Sequence, residues 1–159
     1  MKMALTGHRP ERLGYSELDL CITPEWRNLI NWLKDKIIEE YITDVYCGMA
    51  SGCDIAYGIA AVELQNEMVP VKLHCILPCK DYNSSNPWFG DLKKYADEWV
   101  ELSDTFYKGC DNVRDQYMVD HSDKLIAIWD EIKSGGVWST IRKAQKKRID
   151  IIYYPKEKL

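Results

Sequence analysis

The sequence predicts an α/β protein whose mostly parallel sheet is flanked by helices. Three observations lead there. Apolar runs of strand length alternate with segments of helical spacing along the whole chain, the pattern of successive βαβ units. The run Lys124–Trp129 is almost continuously apolar, as a strand covered on both faces requires. Three of the runs end in glycine-bearing turns: Thr6-Gly7-His8-Arg9-Pro10, Gly48-Met49-Ala50-Ser51-Gly52-Cys53-Asp54, and Asp130 through Ser134-Gly135-Gly136. If the strands are parallel, those turns converge on one edge, where open α/β sheets bind ligands.

Lys2–Thr6 reads as the first strand, followed by a polar stretch through Ile22. Thr23 offers an N-cap and Pro24 a first helical residue. Trp26, Leu29, Ile30, Leu33 and Ile37 then mark one face of a helix running to about Glu40. Asp44–Cys47 is the second strand, and an alanine- and isoleucine-rich helix follows over Cys53–Glu67. Val69–Leu77 is a third strand, stopped by Pro78, and Lys80–Pro87 is a turn-rich loop beside the crevice. Leu92, Tyr95, Ala96, Trp99 and Leu102 repeat at helical spacing, with a short strand near Thr105–Tyr107 after them. Asn112–His121 reads as helix, Lys124–Trp129 as strand, Trp138–Arg148 as the last helix and Ile149–Tyr154 as the last strand.

A chain of 159 residues, 46% apolar and 29% charged, fits one globular domain over residues 1–159. A net charge of −4 and a pI near 5.4 argue against a general nucleic-acid or membrane-surface binder. The opening Met-Lys-Met-Ala-Leu-Thr-Gly turns polar too soon for a signal peptide, so a cytoplasmic protein with six reduced cysteines is expected. No His/Cys spacing matches a metal site, and neither metal nor bound cofactor is expected.

The turns supply the candidate ligand-binding residues: Gly7, His8 and Arg9; Gly48, Met49, Ala50, Ser51, Gly52 and Asp54; Asp130, Gly135, Gly136, Ser139 and Thr140. Glycines admit backbone amides to an anion, and helix N-termini favour negative charge. Arg9 offers a planar fork to phosphate. Asp54 would repel phosphate, so it is assigned to a ribose hydroxyl or base edge. Ser139 and Thr140 either cap their helix or bind phosphate, and Asp130 either forms a turn or touches the ligand. Arg114 either reaches the crevice or pairs with Asp120 and Asp123. Trp88 and Trp138 lie in or beside loops, where each either stacks on a base or packs at a subunit interface. Glu63, nine residues after Asp54, falls on the opposite side of its helix. Lys143, Lys146, Lys147 and Arg148 read as a favourable positive helix C-terminus. No catalytic residue is assigned.

In order and spacing, these turns together with Met118-Val119-Asp120-His121-Ser122-Asp123-Lys124-Leu125-Ile126-Ala127 and Gly135-Gly136 followed by Thr140 resemble the SLOG superfamily, in its small stand-alone YspA/YpsA-like branch. The resemblance implies a three-layer Rossmann-like fold holding a nucleotide or nucleotide-derived metabolite. Its members include phosphoribohydrolases, sensors of nucleotide signals and a single-stranded DNA-binding branch. The phosphoribohydrolases carry Pro-Gly-Gly-x-Gly-Thr-x-x-Glu. Here Ser134, Trp138, Ser139 and Arg142 replace the proline, the later glycine, the threonine and the glutamate. Loss of that carboxylate favours a sensor or sequestering protein over a hydrolase of N-glycosidic bonds. The acidic pI disfavours nucleic acid. The loop tryptophans, together with the superfamily's tendency to self-associate, imply a homodimer.

Overall fold

The computed structural model describes residues 1–159. Its strands are β1 (Lys2–Gly7), β2 (Asp44–Cys47), β3 (Lys72–Leu77), β4 (Glu98–Glu101), β5 (Lys124–Ile128) and β6 (Asp150–Tyr153). Its helices are α1 (Pro10–Leu13), α2 (Pro24–Glu39), α3 (Cys53–Asn66), α4 (Phe89–Tyr95), α5 (Cys110–Asp120) and α6 (Gly135–Lys147), with a final 3-10 turn at Lys156–Lys158. The strands form one sheet in the order β4-β3-β2-β1-β5-β6, every pair parallel. This is a Rossmann-like α/β fold. Successive strands step outward from β1 to β4, then the chain returns to place β5 on the other side of β1. The topological switch point is therefore the β1–β5 boundary, the place where such sheets open a ligand crevice.

Strand alternation divides the core into two layers. Met3, Leu5, Val45, Cys47, Leu73 and Cys75 point to the side of α2 and α3. Ala4, Tyr46, Ile76 and Leu125 point to the other side, against Met118 and Val119 of α5 and Ala144 of α6. The helix α3 buries nearly every residue from Cys53 to Ala61, which explains its apolar character all round. No helix is long and apolar enough to cross a membrane.

The elements depart from the sequence expectation at identifiable points. The helical spacing of Leu92 to Leu102 spans two elements, because α4 stops at Tyr95 and Glu98–Glu101 is the edge strand β4. Asp97 makes the break. Its amide donates to the Leu73 carbonyl at 2.8 Å, and its carboxylate accepts the Leu73 amide at 2.8 Å, so the chain is zipped onto β3. Thr105–Tyr107 forms no strand. The third strand begins at Lys72 rather than Val69, since Pro70 has no amide for a ladder. Thr23 occupies the N-cap position of α2, but its hydroxyl bonds no helix amide. The polar stretch after β1 contains the single turn α1. At the far end, Lys147 donates to the carbonyls of Val119, Asp120 and Ser122 at 2.8, 2.6 and 3.1 Å, closing the C-terminus of α5. Glu63 pairs with Arg27 and Lys34, on the side of α3 away from Asp54.

The turn from β2 into α3 is pressed against the end of β1. A Cβ on Gly7 would lie 2.5 Å from Cys53 Cβ, and one on Gly52 (φ +92°) would lie 2.8 Å from Pro10 Cδ. Gly7→Ala should therefore lower the stability by ~1–3 kcal/mol, read as a reduced midpoint in urea unfolding. A midpoint equal to that of the parent would show that this packing is not tight.

Candidate functional site

At the switch point lies a cleft of about 310 Å³. Four segments build it. The end of β1 and α1 bring Gly7, His8, Arg9, Glu11 and Arg12; the β2–α3 turn brings Ala50 and Asp54. The helix α5 brings Asp111, Arg114 and Asp115, and the start of α6 brings Gly136 and Val137. Ser134, at the N-cap of α6, makes no side-chain cap bond, so the first amides of that helix remain available at the cleft wall. Gly136 has no atom within 4 Å of the position a Cβ would take. It is the one cleft glycine whose side-chain space is open.

Asp130 ties the two central strands together. Arg12 grips its carboxylate through Nε at 2.8 Å and Nη2 at 3.2 Å, and Arg12 Nη1 donates to the Ser134 carbonyl at 3.3 Å. The Arg12 hydrogen bonds hold the Asp130 carboxyl down at about 2, with the Ile132 amide and the neighbouring His8 assisting. His8 is buried, and burial is the main reason its pKa is lowered, against the pull of Asp130. Its Nε2 lies 3.2 Å from the Asp130 amide and 3.1 Å from Asp130 Oδ1. Nε2 thus faces a donor and an anionic acceptor at once: with its lone pair it accepts from the amide, and with a proton it donates to Oδ1. The Cys53 thiol donates to the His8 carbonyl at 3.1 Å, anchoring the same turn from below.

Asp54 and Arg114 face each other across the β2–α3 turn. Asp54 is 7% exposed and accepts one backbone bond, from the Ala50 amide at 3.2 Å. Arg114 is 5% exposed, yet its bonds go elsewhere: Nη1 donates to the Gly48 carbonyl at 2.6 Å and Nε to Asp115 at 2.7 Å. A Cβ on Gly48 would strike Asp54 Oδ2 at 2.7 Å and Arg114 Cδ at 3.1 Å, so that glycine makes room for the two charged groups. Burial pushes the Asp54 carboxyl up to about 6, although Arg114 opposes the shift. Asp54 is thus a desolvated acid at the cleft wall without a strong partner.

The cleft brings together Gly7, His8, Arg9, Ala50, Asp54 and Gly136 from the sequence-predicted set. Asp130 stands behind His8, bound to Arg12. Gly48 and Gly52 serve packing, and the Met49 side chain is fully buried in the core. Ser51 hydrogen-bonds with Asn83 at an adjoining chamber. The Thr140 hydroxyl donates to the Gly136 carbonyl at 2.9 Å and is buried. Ser139 and Gly135 border a separate groove with Trp138, Arg142 and Lys143, so the Arg142 position lies outside the cleft. The loop Lys80–Pro87 docks on the site, since the Asn83 amide donates to the Met49 carbonyl at 2.9 Å. Sequence reasoning did not place Glu11, Arg12, Asp111 and Asp115 here, and left Arg114 open. A signal for Arg114 existed: Cys110, Arg114 and Met118 repeat every four residues on the buried face of α5.

A parallel sheet covered on both faces, with a charged cleft at its switch point, has the architecture in which Rossmann-like folds hold small molecules. The model of the YspA SLOG family (YpsA) matches residues 3–155, and the chain belongs to that family. Membership points to binding or processing of a nucleotide-related ligand. No curated protein matches the chain.

The Asp54 environment has a measurable consequence for stability. Its folded pKa, about 6, lies above the ordinary 3.8. As pH rises between those values the unfolded chain loses a proton that the folded protein keeps, so folding is penalised progressively and fully above pH 6. Asp54→Asn should raise stability by ~1–3 kcal/mol at pH 7, and the gain should vanish below pH 3.8. Denaturant titrations at both pH values check this, and a destabilised Asn variant at pH 7 would contradict it.

Proposed function

We propose that the cleft binds a nucleotide or nucleotide-derived metabolite, of ADP-ribose or NAD type or a signalling nucleotide, and that the protein acts as a sensor or sequestering module. The observation that carries this reading is the state of Arg9. Asp130 neutralises Arg12 and Asp115 neutralises Arg114. Arg9 alone among the cleft arginines meets no carboxylate; its one bond is to the Tyr82 hydroxyl at 3.3 Å. An uncommitted guanidinium that shares the cleft with the open Gly136 and the start of α6 suits a phosphate. The desolvated Asp54 suits a sugar hydroxyl, whose hydrogen bond would compensate its lost hydration. Homodimerisation belongs to the same proposal, favoured by the exposed Ile132 and Tyr153 near the Trp129–Trp138 stack at the β6 edge. A concentration-independent monomer mass in light scattering would contradict it.

AMP, ADP-ribose and NAD test the reading by thermal shift, because a ligand that binds only the folded state stabilises it. At least one should raise the melting temperature and survive prolonged incubation. Arg9→Ala should abolish that shift while leaving the melting temperature of the free protein nearly unchanged, since Arg9 is exposed. Shifts that persist in Arg9→Ala would move the phosphate elsewhere.

One observation favours a second reading, hydrolysis of an N-glycosidic bond. An acid poised at about 6 beside a sugar site can exchange a proton near neutral pH, which Asp130, held at about 2, cannot do. Chromatographic release of free base from AMP, lost in Asp54→Asn, would make the protein an enzyme.

A further inference from the structure

Beside the cleft lies a second chamber of about 410 Å³, lined by Arg9, Ser51, Tyr82, Asn83, Phe106 and Asp111. It shares Arg9 and Asp111 with the cleft, so the two form one bipartite crevice joined at the uncommitted guanidinium. Resting on the proposed nucleotide reading, we infer that this chamber is the subsite for a planar nitrogen heterocycle, and that Phe106 is the surface on which the heterocycle stacks.

The first support is Phe106 itself. The residue is 72% exposed and its ring makes no aromatic pair, although most other large aromatic side chains of this chain are stacked, edge-packed or buried. It stands on the connection between β4 and α5, in a stretch of exposed residues without regular structure, where nothing in the core requires an apolar side chain. A phenyl ring presented to a ligand-sized chamber gains free energy only when something flat and apolar covers it.

The second support is the polar rim of the same chamber. Asn83 and Ser51 hold each other, with Asn83 Nδ2 to Ser51 Oγ at 3.2 Å, and the Asp111 carboxylate makes no hydrogen bond or ion pair through its side chain. Tyr82 is held edge and face by the two arginines, Arg9 on its hydroxyl and Arg114 at 5.6 Å from its ring centre. An aliphatic occupant would leave the Asp111 carboxylate without a partner, and a second phosphate would meet its charge. A base has an apolar face for Phe106 and a polar edge for the rim. The two loop tryptophans that sequence reasoning offered for stacking are committed elsewhere. The Trp88 indole donates to the Asp19 carbonyl at 3.0 Å, and Trp138 stacks on Trp129 at 5.4 Å.

The test uses AMP and ribose 5-phosphate, which share sugar and phosphate and differ by the base, in calorimetric titrations. AMP should bind the wild-type protein at least ~10-fold more tightly than ribose 5-phosphate. Phe106→Ala should remove that advantage and leave ribose 5-phosphate binding unchanged, whereas Phe106→Trp should keep or increase it. Equal affinities in the wild type would overturn the subsite and leave the phosphate cleft standing. So would an AMP affinity insensitive to Phe106→Ala, or an equal loss for both ligands. Absence of binding by either compound to the wild type would overturn the subsite, and the functional reading falls with it only when ADP-ribose and NAD also leave the melting temperature unchanged.

Discussion

The close approach of the β2–α3 turn to the end of β1 constrains everything at the switch point. Gly7 leaves no space for a side chain beside Cys53, and Gly52 leaves none beside Pro10. The consequence is positional. The backbone after β1 is pinned from one side by the Cys53 thiol on the His8 carbonyl and from the other by Arg12 on Asp130. His8 and Arg9 are held between these anchors, and Arg12 spans from the β1 side to the Ser134 carbonyl at the start of α6. Two turns distant in sequence become one rigid wall, as precise placement of binding groups requires.

The same wall explains why the glycines have divided roles. A glycine at a binding turn is usually credited with admitting a ligand, but here Gly7, Gly48 and Gly52 admit other parts of the protein. Gly48 vacates the volume into which Asp54 and Arg114 project, so the charged pair exists only because that position lacks a side chain. Gly136 is different: it faces open space at the head of α6. An anion approaching the backbone would meet the first amides of α6 there, whereas at the β2–α3 turn the Ala50 amide is already taken by Asp54.

Periodicity and turn chemistry made the fold legible because sheet and helices obey local rules: the order of strands and helices, the apolar β5 and the glycine turns all appear in the sequence. The errors occurred where tertiary contact overrode local spacing. Residues from Leu92 to Leu102 carry a helical repeat, yet Asp97 finds both its backbone and side-chain partners on β3, and the chain turns to strand. The site was legible in part for the same reason. Turn residues could be placed at a common edge from topology alone. Arg12 was hidden in a polar stretch whose one helical turn directs it at Asp130, 118 residues away in sequence. Asp111 and Asp115 sit on a helix whose orientation toward the cleft depends on which face of the sheet it crosses. Ser139 and Thr140 have the expected chemistry, but rotation around α6 turns Thr140 back onto its own helix and Ser139 toward another groove.

Two aspartates near the cleft show how surroundings assign different work to the same side chain. Asp130 has a bidentate arginine and a backbone amide, and its charge is fully compensated, which suits a fixed structural tie. Asp54 is more deeply buried, and the arginine beside it spends its hydrogen bonds on Asp115 and the Gly48 carbonyl. Were Arg114 free to grip Asp54, that carboxylate would be as settled as Asp130 and would gain little from a ligand. Asp115 prevents this by holding the guanidinium and adding a second negative charge nearby, which raises the Asp54 carboxyl further. The cleft therefore keeps one buried carboxylate, Asp54, short of partners at its wall and one guanidinium, Arg9, free of any ion pair. Such unsatisfied groups cost stability in the empty protein and would recover it from a ligand of complementary chemistry, which is the physical basis of the proposed binding role.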